Sequence, residues 1–145
     1  MELLVKIMIQ DRRCALRAID VHSVMEIESI TPVPKAPAHI LGLSTKRSQT
    51  LTVVDCKKAA GIDGEATPTG KRAAVVEHEG HTYALLVDDI DDVEDTSGEI
   101  AQIAGGYGAD WSHIAEGMVE TAGGPALLLS VAKLVAGPQK FSQAA

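Results

Sequence analysis

Aromatic side chains are scarce in this sequence: they make up 3% of its 145 residues, as one Trp, one Phe and two Tyr. Single strands of nucleic acid are held by aromatic platforms in basic grooves, and this composition provides few platforms. The net charge is −7, which repels a phosphate backbone instead of neutralising it. Nucleic acid is therefore set aside as a partner. Long apolar runs are also missing. Apolar stretches such as ALLLSVA near the C-terminus fall far short of the ~20 residues that span a bilayer, and no membrane insertion is expected. Met1 to Ile9 carries Glu2 and Lys6 in a strand-like pattern, where a leader would show a basic region, an apolar core and a small-residue cleavage site. The expected location is cytoplasmic. Cysteine is limited to Cys14 and Cys56, with no CxxC spacing, which fits reduced structural thiols better than a disulfide or a zinc site.

What is present suits one packed domain: 46% of residues are hydrophobic, mostly Val, Ile, Leu and Ala. LLVKIMI and RRCALR, joined through Gln10-Asp11, form a β-hairpin pattern. RAAVVEH and HTYALLV, joined through Glu79-Gly80, form a better marked one, because the glycine supplies the positive φ of a tight turn. GMVETA and PALLLSV around Gly123-Gly124 form a third, and LTVVD at Leu51 to Asp55 is strand-like. Hairpins spread along the whole length point to a small β-barrel or a pair of barrels. Short peripheral helices are expected where Asp20 would cap VHSVMEI, Asp55 would cap CKKAA and Ser130 would cap VAKLVA. GIDGEATPTG and SGEIAQIAGGYGADWS read as exposed loops. A single domain over residues 1–137 with a frayed tail over 138–145 is the expected organisation.

The motifs that suggest enzyme chemistry fail on their own geometric terms. His78-Glu79-Gly80-His81 is not HExxH, whose histidines stand four apart on one helical face, and it sits on a turn. GEATPTGKR has five residues between its glycines where a phosphate-binding loop has four, with Arg72 in place of the metal-binding hydroxyl. The acidic run Asp88 to Asp95 lacks the glycine and distal glutamate of a calcium loop, and its Ile90 and Val93 read as inward-facing. GGYG lacks the lysine and the GxGxxG frame of a nucleotide site. No catalytic, cofactor or metal residue is nominated. A small β-barrel enzyme or ligand-binding module using HEGH or the glycine-rich loop is the minor alternative.

The most distinctive stretch is ITPVPKAPAHILGL, Ile30 to Leu43, with prolines at 32, 34 and 37. Proline fixes φ, lacks a donor and pushes its predecessor toward extended backbone, so a stiff extended connector is expected. With CALRAIDVHSV before it, and Arg47, LTVVD and YALLVDDIDDV after it, this stretch resembles the CheW-like family, the coupling domains of bacterial chemotaxis arrays. Family members read like YALPLDAVREI, then TPVPxAPxxVxGVINLRGxIIPVVDL, then GLLVDxVxEV. Cys14 to Asp55 falls into that register without a gap.

The resemblance implies a mainly β fold of two intertwined five-stranded SH3-like barrels with short peripheral helices. It implies a non-enzymatic adaptor without cofactor, whose inter-barrel groove receives a chemoreceptor's cytoplasmic tip and whose barrel end docks a CheA-type histidine kinase. The location it implies is a membrane-associated polar array, where self-association is left open. The interface positions it singles out are Val21, Val24, Gly42, Lys46, Arg47 and Val93, with Arg47 foremost. Thr45-Lys46-Arg47-Ser48 stands where the family reads NLRG, and Ser23 stands where a glutamate commonly pairs with the arginine. Glu26 would take over that pairing if VHSVMEI were helical. A second reading is a diverged scaffold that keeps one interface and serves a polar organiser, a pilus system or another two-component pathway.

Overall fold

The computed structural model describes residues 3–10, 12–61, 72–95, 111, 114–121 and 124–137, and for 91–95 only the backbone. The excursion after Gly61, the stretch SGEIAQIAGGYGAD and the tail PQKFSQAA lie outside these residues.

Among the described residues, ten strands form two five-stranded antiparallel-rich sheets. The chain enters the first sheet with β1 (Leu3–Ile9) and β2 (Arg12–Arg17), then leaves it through a 3₁₀ turn at Ala18–Asp20. Five consecutive strands build the second sheet: β3 (Val21–Glu26), β4 (Ile40–Lys46), β5 (Gln49–Asp55), β6 (Arg72–His78) and β7 (His81–Leu86). The chain then returns to the first sheet with β8 (Asp89–Asp95), β9 (Ala115–Thr121) and β10 (Gly124–Leu129). Hydrogen-bonded order is β8-β1-β2-β10-β9 in one sheet and β3-β6-β7-β5-β4 in the other. The second sheet is thus inserted into the first, which is the sense in which the two units are intertwined.

The three expected hairpins are β1/β2, β6/β7 and β9/β10, each antiparallel. Parallel pairs close each sheet across the sequence, β10 against β2 and β5 against β7. The apolar runs of the inner strands follow from burial on both faces. Ala73 and Val75 of β6 and Ala84 and Leu86 of β7 fill the second unit with Leu51 and Val53. Their neighbours Ala74, Val76 and Leu85 face the other way, into a core shared with Val5, Ile7, Cys14, Leu16 and Leu127 of the first sheet. A third cluster, Leu4, Ala15, Val119, Ala126 and Leu128, lies inside the first unit. Three apolar layers therefore exist: one inside each unit and one between them.

Beyond the ladders, the segment that follows β3 meets β4 at the end of the second sheet. Thr31 and Leu43 exchange two backbone hydrogen bonds of 2.8 Å. Ser44 Oγ donates to the Ser29 carbonyl at 2.9 Å, and Lys46 Nζ donates to Ser23 Oγ at 2.6 Å. Two expected helices are present. In α1 (Cys56–Ala59) the Asp55 carboxylate accepts from the Lys57 and Lys58 amides, and in α2 (Val131–Ala136) Ser130 Oγ accepts from the Lys133 amide. Both side chains satisfy donors that a helix start leaves open.

The third expected helix is not formed. VHSVMEI is strand β3, and its half-buried positions alternate with exposed ones. Ser23, Met25 and Ile27 turn toward the barrel interior, while His22, Val24 and Glu26 are exposed. Edge pairing with β6 wins over local preference here, as tertiary contacts commonly do for Val-rich segments. The proline-rich connector also differs from a straight rod. No helix or long strand passes through it, but Val33-Pro34-Lys35-Ala36 is a turn with Lys35 at φ 67° and the Ala36 amide bonded to the Val33 carbonyl at 3.3 Å. Proline followed by a positive φ is the type II arrangement. A second turn bonds Ile40 N to the Pro37 carbonyl at 2.9 Å, and His39 then enters the interior. The connector is a folded strap fastened at Thr31 and His39.

Candidate functional site

Positions 21 and 24 lie on the same face of β3. Val21 is half-buried against the inter-barrel core. Val24 pairs across the ladder with Ala74, a member of that core, but stands on an edge strand and is 42% exposed. The apolar face between the barrels thus continues outward to solvent at Val24. Ile19, in the turn just before β3, is 83% exposed, and sequence reading passed over it because an apolar residue in a short turn carries no periodic signal.

The tip of the β4/β5 hairpin reaches the same strand. Lys46 pairs with Gln49 across a two-residue loop, and the loop residues Arg47 and Ser48 have φ of 52° and 68°. Two successive positive φ values match a type I′ turn, whose twist suits a tight hairpin but which asparagine and glycine fill best. Lys46 reaches back to Ser23, so a side-chain bond ties the tip to β3. Arg47 is exposed, with no hydrogen-bond or ion-pair partner among the described residues. The anticipated Glu26 to Arg47 pairing has lost its basis, because Glu26 sits on a strand, opposite Arg72 in the ladder. Below the tip, a pocket of about 320 Å³ opens between Met25, Glu26 and Glu28 on one side and Ser44, Thr45 and Lys46 on the other.

Strain in this loop gives a direct expectation. An L-residue in the left-handed region costs roughly 1–2 kcal/mol, and glycine removes that cost while adding chain entropy to the unfolded state. Ser48→Gly is expected to raise stability by about 0.5–1 kcal/mol, read as a higher urea midpoint with unchanged slope. A lower midpoint would show that Ser48 makes contacts that outweigh its backbone strain.

Gly42 has a different place. It is buried at a β-bulge, and a Cβ there would stand 2.3 Å from the Thr31 carbonyl oxygen. Its lack of a side chain lets the strap cross β4, so its contribution is internal. Val93 lies on β8 opposite Val5, away from the hairpin tip in sheet order. The structure therefore puts Val21 and Val24 on β3 and ties Lys46, at the base of the hairpin tip that carries Arg47, to Ser23 of the same strand, with Gly42 further along β4 and Val93 in the other sheet.

The match to the CheW-like domain extends over residues 3–139. The chain belongs to the CheW-like domain family. The crystal structure of the scaffolding protein TtCheW from Thermoanaerobacter tengcongensis is similar to it, with a TM-score of 0.78 and 25% sequence identity over 90% of this chain and 89% of that one. No curated protein matches the sequence. In this CheW-like chain the hairpin tip is held by the Lys46 to Ser23 hydrogen bond and turns without glycine.

The two cysteines sit in unreactive settings. Cys14 and Cys56 are free and buried. Burial pushes the Cys14 thiol up to about 12, and it raises Cys56 well above the ordinary thiol range, with the Asp55 and Cys14 charges adding to the effect. A thiol that does not ionise is a poor nucleophile. Asp88 accepts from the Gln10 amide at 2.7 Å and lies 3.7 Å from Lys57 Nζ, so the start of the acidic run is tied to the first hairpin and α1. Ile90 is buried as expected. No described helix is long and apolar enough to cross a membrane.

Proposed function

We propose that this protein is a non-enzymatic adaptor that couples chemoreceptor cytoplasmic tips to a CheA-type histidine kinase. The observation that carries the reading is the family match over nearly the whole described chain, on a two-barrel fold shared with a scaffolding protein. The exposed Val24 on β3 and the exposed cation of Arg47, on the hairpin tied to that strand, suit recognition of a helical hairpin. Aliphatic burial supplies affinity in such a groove, and a rim charge sets orientation and on-rate. Cytoplasmic placement at a receptor array belongs to the same proposal.

The test is binding of the purified protein to the regulatory domain of a cognate kinase and to a receptor signalling fragment, separately and together. Arg47→Glu is expected to weaken at least one of these complexes about tenfold, equal to 1.4 kcal/mol, with the thermal melt unchanged because the side chain is exposed. Wild-type affinity for both partners in the folded variant would remove Arg47 from the interface. The altered tip favours a second reading, a scaffold that keeps one interface for a different signalling pathway. Binding of only one of the two partners is its signature.

A further inference from the structure

The HEGH sequence has the wrong spacing for a helical zinc motif, yet the β6/β7 hairpin gives it another geometry. His78 and His81 are directly paired across the ladder. Between them, Glu79 and Gly80 have φ of 53° and 82°, the two positive values of a type I′ turn. Residues directly opposite in an antiparallel pair project from the same face, with Cβ atoms roughly 5 Å apart. Two imidazoles mounted at that spacing on a rigid tip can approach one ion together. The Glu79 carboxylate stands 4.0 Å from His78 Nε2, which adds negative charge beside the pair.

The sheet also fixes how the pair is presented. His78 follows Ala74 and Val76 on one face of β6, and His81 precedes Tyr83 and Leu85 on the same face of β7. Those residues pack into or against the inter-barrel core. The imidazoles therefore sit at the rim of a packed layer, with the His78 side chain only 28% exposed and His81 open to solvent. The packed layer restricts His78 while His81 stays accessible to an incoming ion.

We propose that His78 and His81 form an exchangeable site for a divalent transition metal that favours imidazole, such as Ni(II), Cu(II) or Zn(II). Imidazole suits these ions, and hard cations such as Mg(II) and Ca(II) prefer oxygen. No group of three His, Cys, Asp or Glu side chains able to hold a metal ion exists among the described residues. The site is thus a two-imidazole platform whose other positions are filled by water or by donors carried on the metal. This distinguishes it from a closed structural zinc centre, which takes four protein ligands.

The test uses protein without a histidine tag, titrated calorimetrically with nickel(II) iminodiacetate, a chelate that leaves positions open for two imidazoles. One chelate is expected to bind per chain. His78→Ala and His81→Ala are each expected to weaken binding about 100-fold, because each removes the gain from placing two donors on one platform. His22→Ala, a single exposed imidazole on β3, is the control and is expected to change nothing. Magnesium is expected not to compete. Metal-free melting curves identify any variant that loses its fold, and His81 is solvent-exposed, so its variant keeps the comparison available. Equal affinity for wild type and the folded His81→Ala variant would overturn the proposal, as would an equal loss in His22→Ala.

Discussion

Gly42→Ala is expected to lower stability by roughly 3 kcal/mol, although it adds a single carbon. Two costs combine. The backbone at Gly42 has φ of 148°, a region L-residues rarely occupy, with a penalty of about 1–2 kcal/mol. The new Cβ would also lie 2.3 Å from the Thr31 carbonyl oxygen and 2.8 Å from both the Thr31 carbonyl carbon and Ile30 Cγ2. Two of those atoms are backbone, so relief requires the strap to move, and overpacking of this kind costs about 1–3 kcal/mol. The strap at Thr31 is held there by its paired bonds to Leu43. For a domain of this size the loss corresponds to a drop of about 10 °C in melting temperature. Gly80→Ala is the comparison: its φ is also positive, but nothing lies within 4 Å of the added carbon. It carries the backbone penalty alone. Equal losses in the two variants would show that the strap yields and that steric closure at Gly42 matters little.

This expectation rests on a contact that the sequence announced only indirectly. The glycine and the prolines were visible, and the connector they suggested exists. The two turns that bend it were not, because Lys35 is not a residue that signals positive φ. The β6/β7 hairpin was legible since Gly80 marks its turn. The β4/β5 hairpin was harder to see, since Arg47 and Ser48 fill the corresponding positions without asparagine or glycine. VHSVMEI misled for another reason. A bulge between Val21 and Ser23 shifts the ladder by one residue, so the apolar positions of β3 do not keep a strict period of two. The caps Asp55 and Ser130 were readable because capping is local chemistry. The parallel pairs β5/β7 and β2/β10 are not local, and no short window of sequence contains them.

The candidate site shows the same division. Resemblance singled out Val21, Val24 and Arg47 as interface positions, but composition alone gave no means to separate the valines from core. Val24 and Val53 are the same residue on strands of similar pattern, yet one is 42% exposed and the other fully buried. The difference lies in strand order: β3 is an edge, while β5 lies between β7 and β4. Exposure at an edge depends on pairings made far along the chain. The tie from Lys46 to Ser23 was hidden for the same reason, since it depends on strand pairings that bring β3 and β4 together from far along the chain.

The layer between the barrels carries the other large expectation. Leu127 is fully buried in that layer, and its backbone pairs with Cys14 on one side and Met118 on the other. Leu127→Ala is expected to cost about 3 kcal/mol, within the range for leucine deletion in a core that collapses only in part. Leu128→Ala, facing the interior of the first barrel, is expected to cost a similar amount by the same mechanism. The informative measurement compares two probes in urea. Far-UV circular dichroism follows both sheets, whereas the single tryptophan, Trp111, packs against the inter-barrel core with the Arg12 guanidinium 5.4 Å over its ring. Because β6, β7 and β10 each contribute to that shared core and to the interior of their own barrel, neither barrel can unfold without exposing the common layer. Coincident transitions are therefore expected in wild type and in both variants. A fluorescence transition that runs ahead of the dichroism in Leu127→Ala alone would show that the barrels are separately stable. The shared layer would then be an interface between two folding units, and strain in one barrel would pass to the other less effectively than through a continuous core.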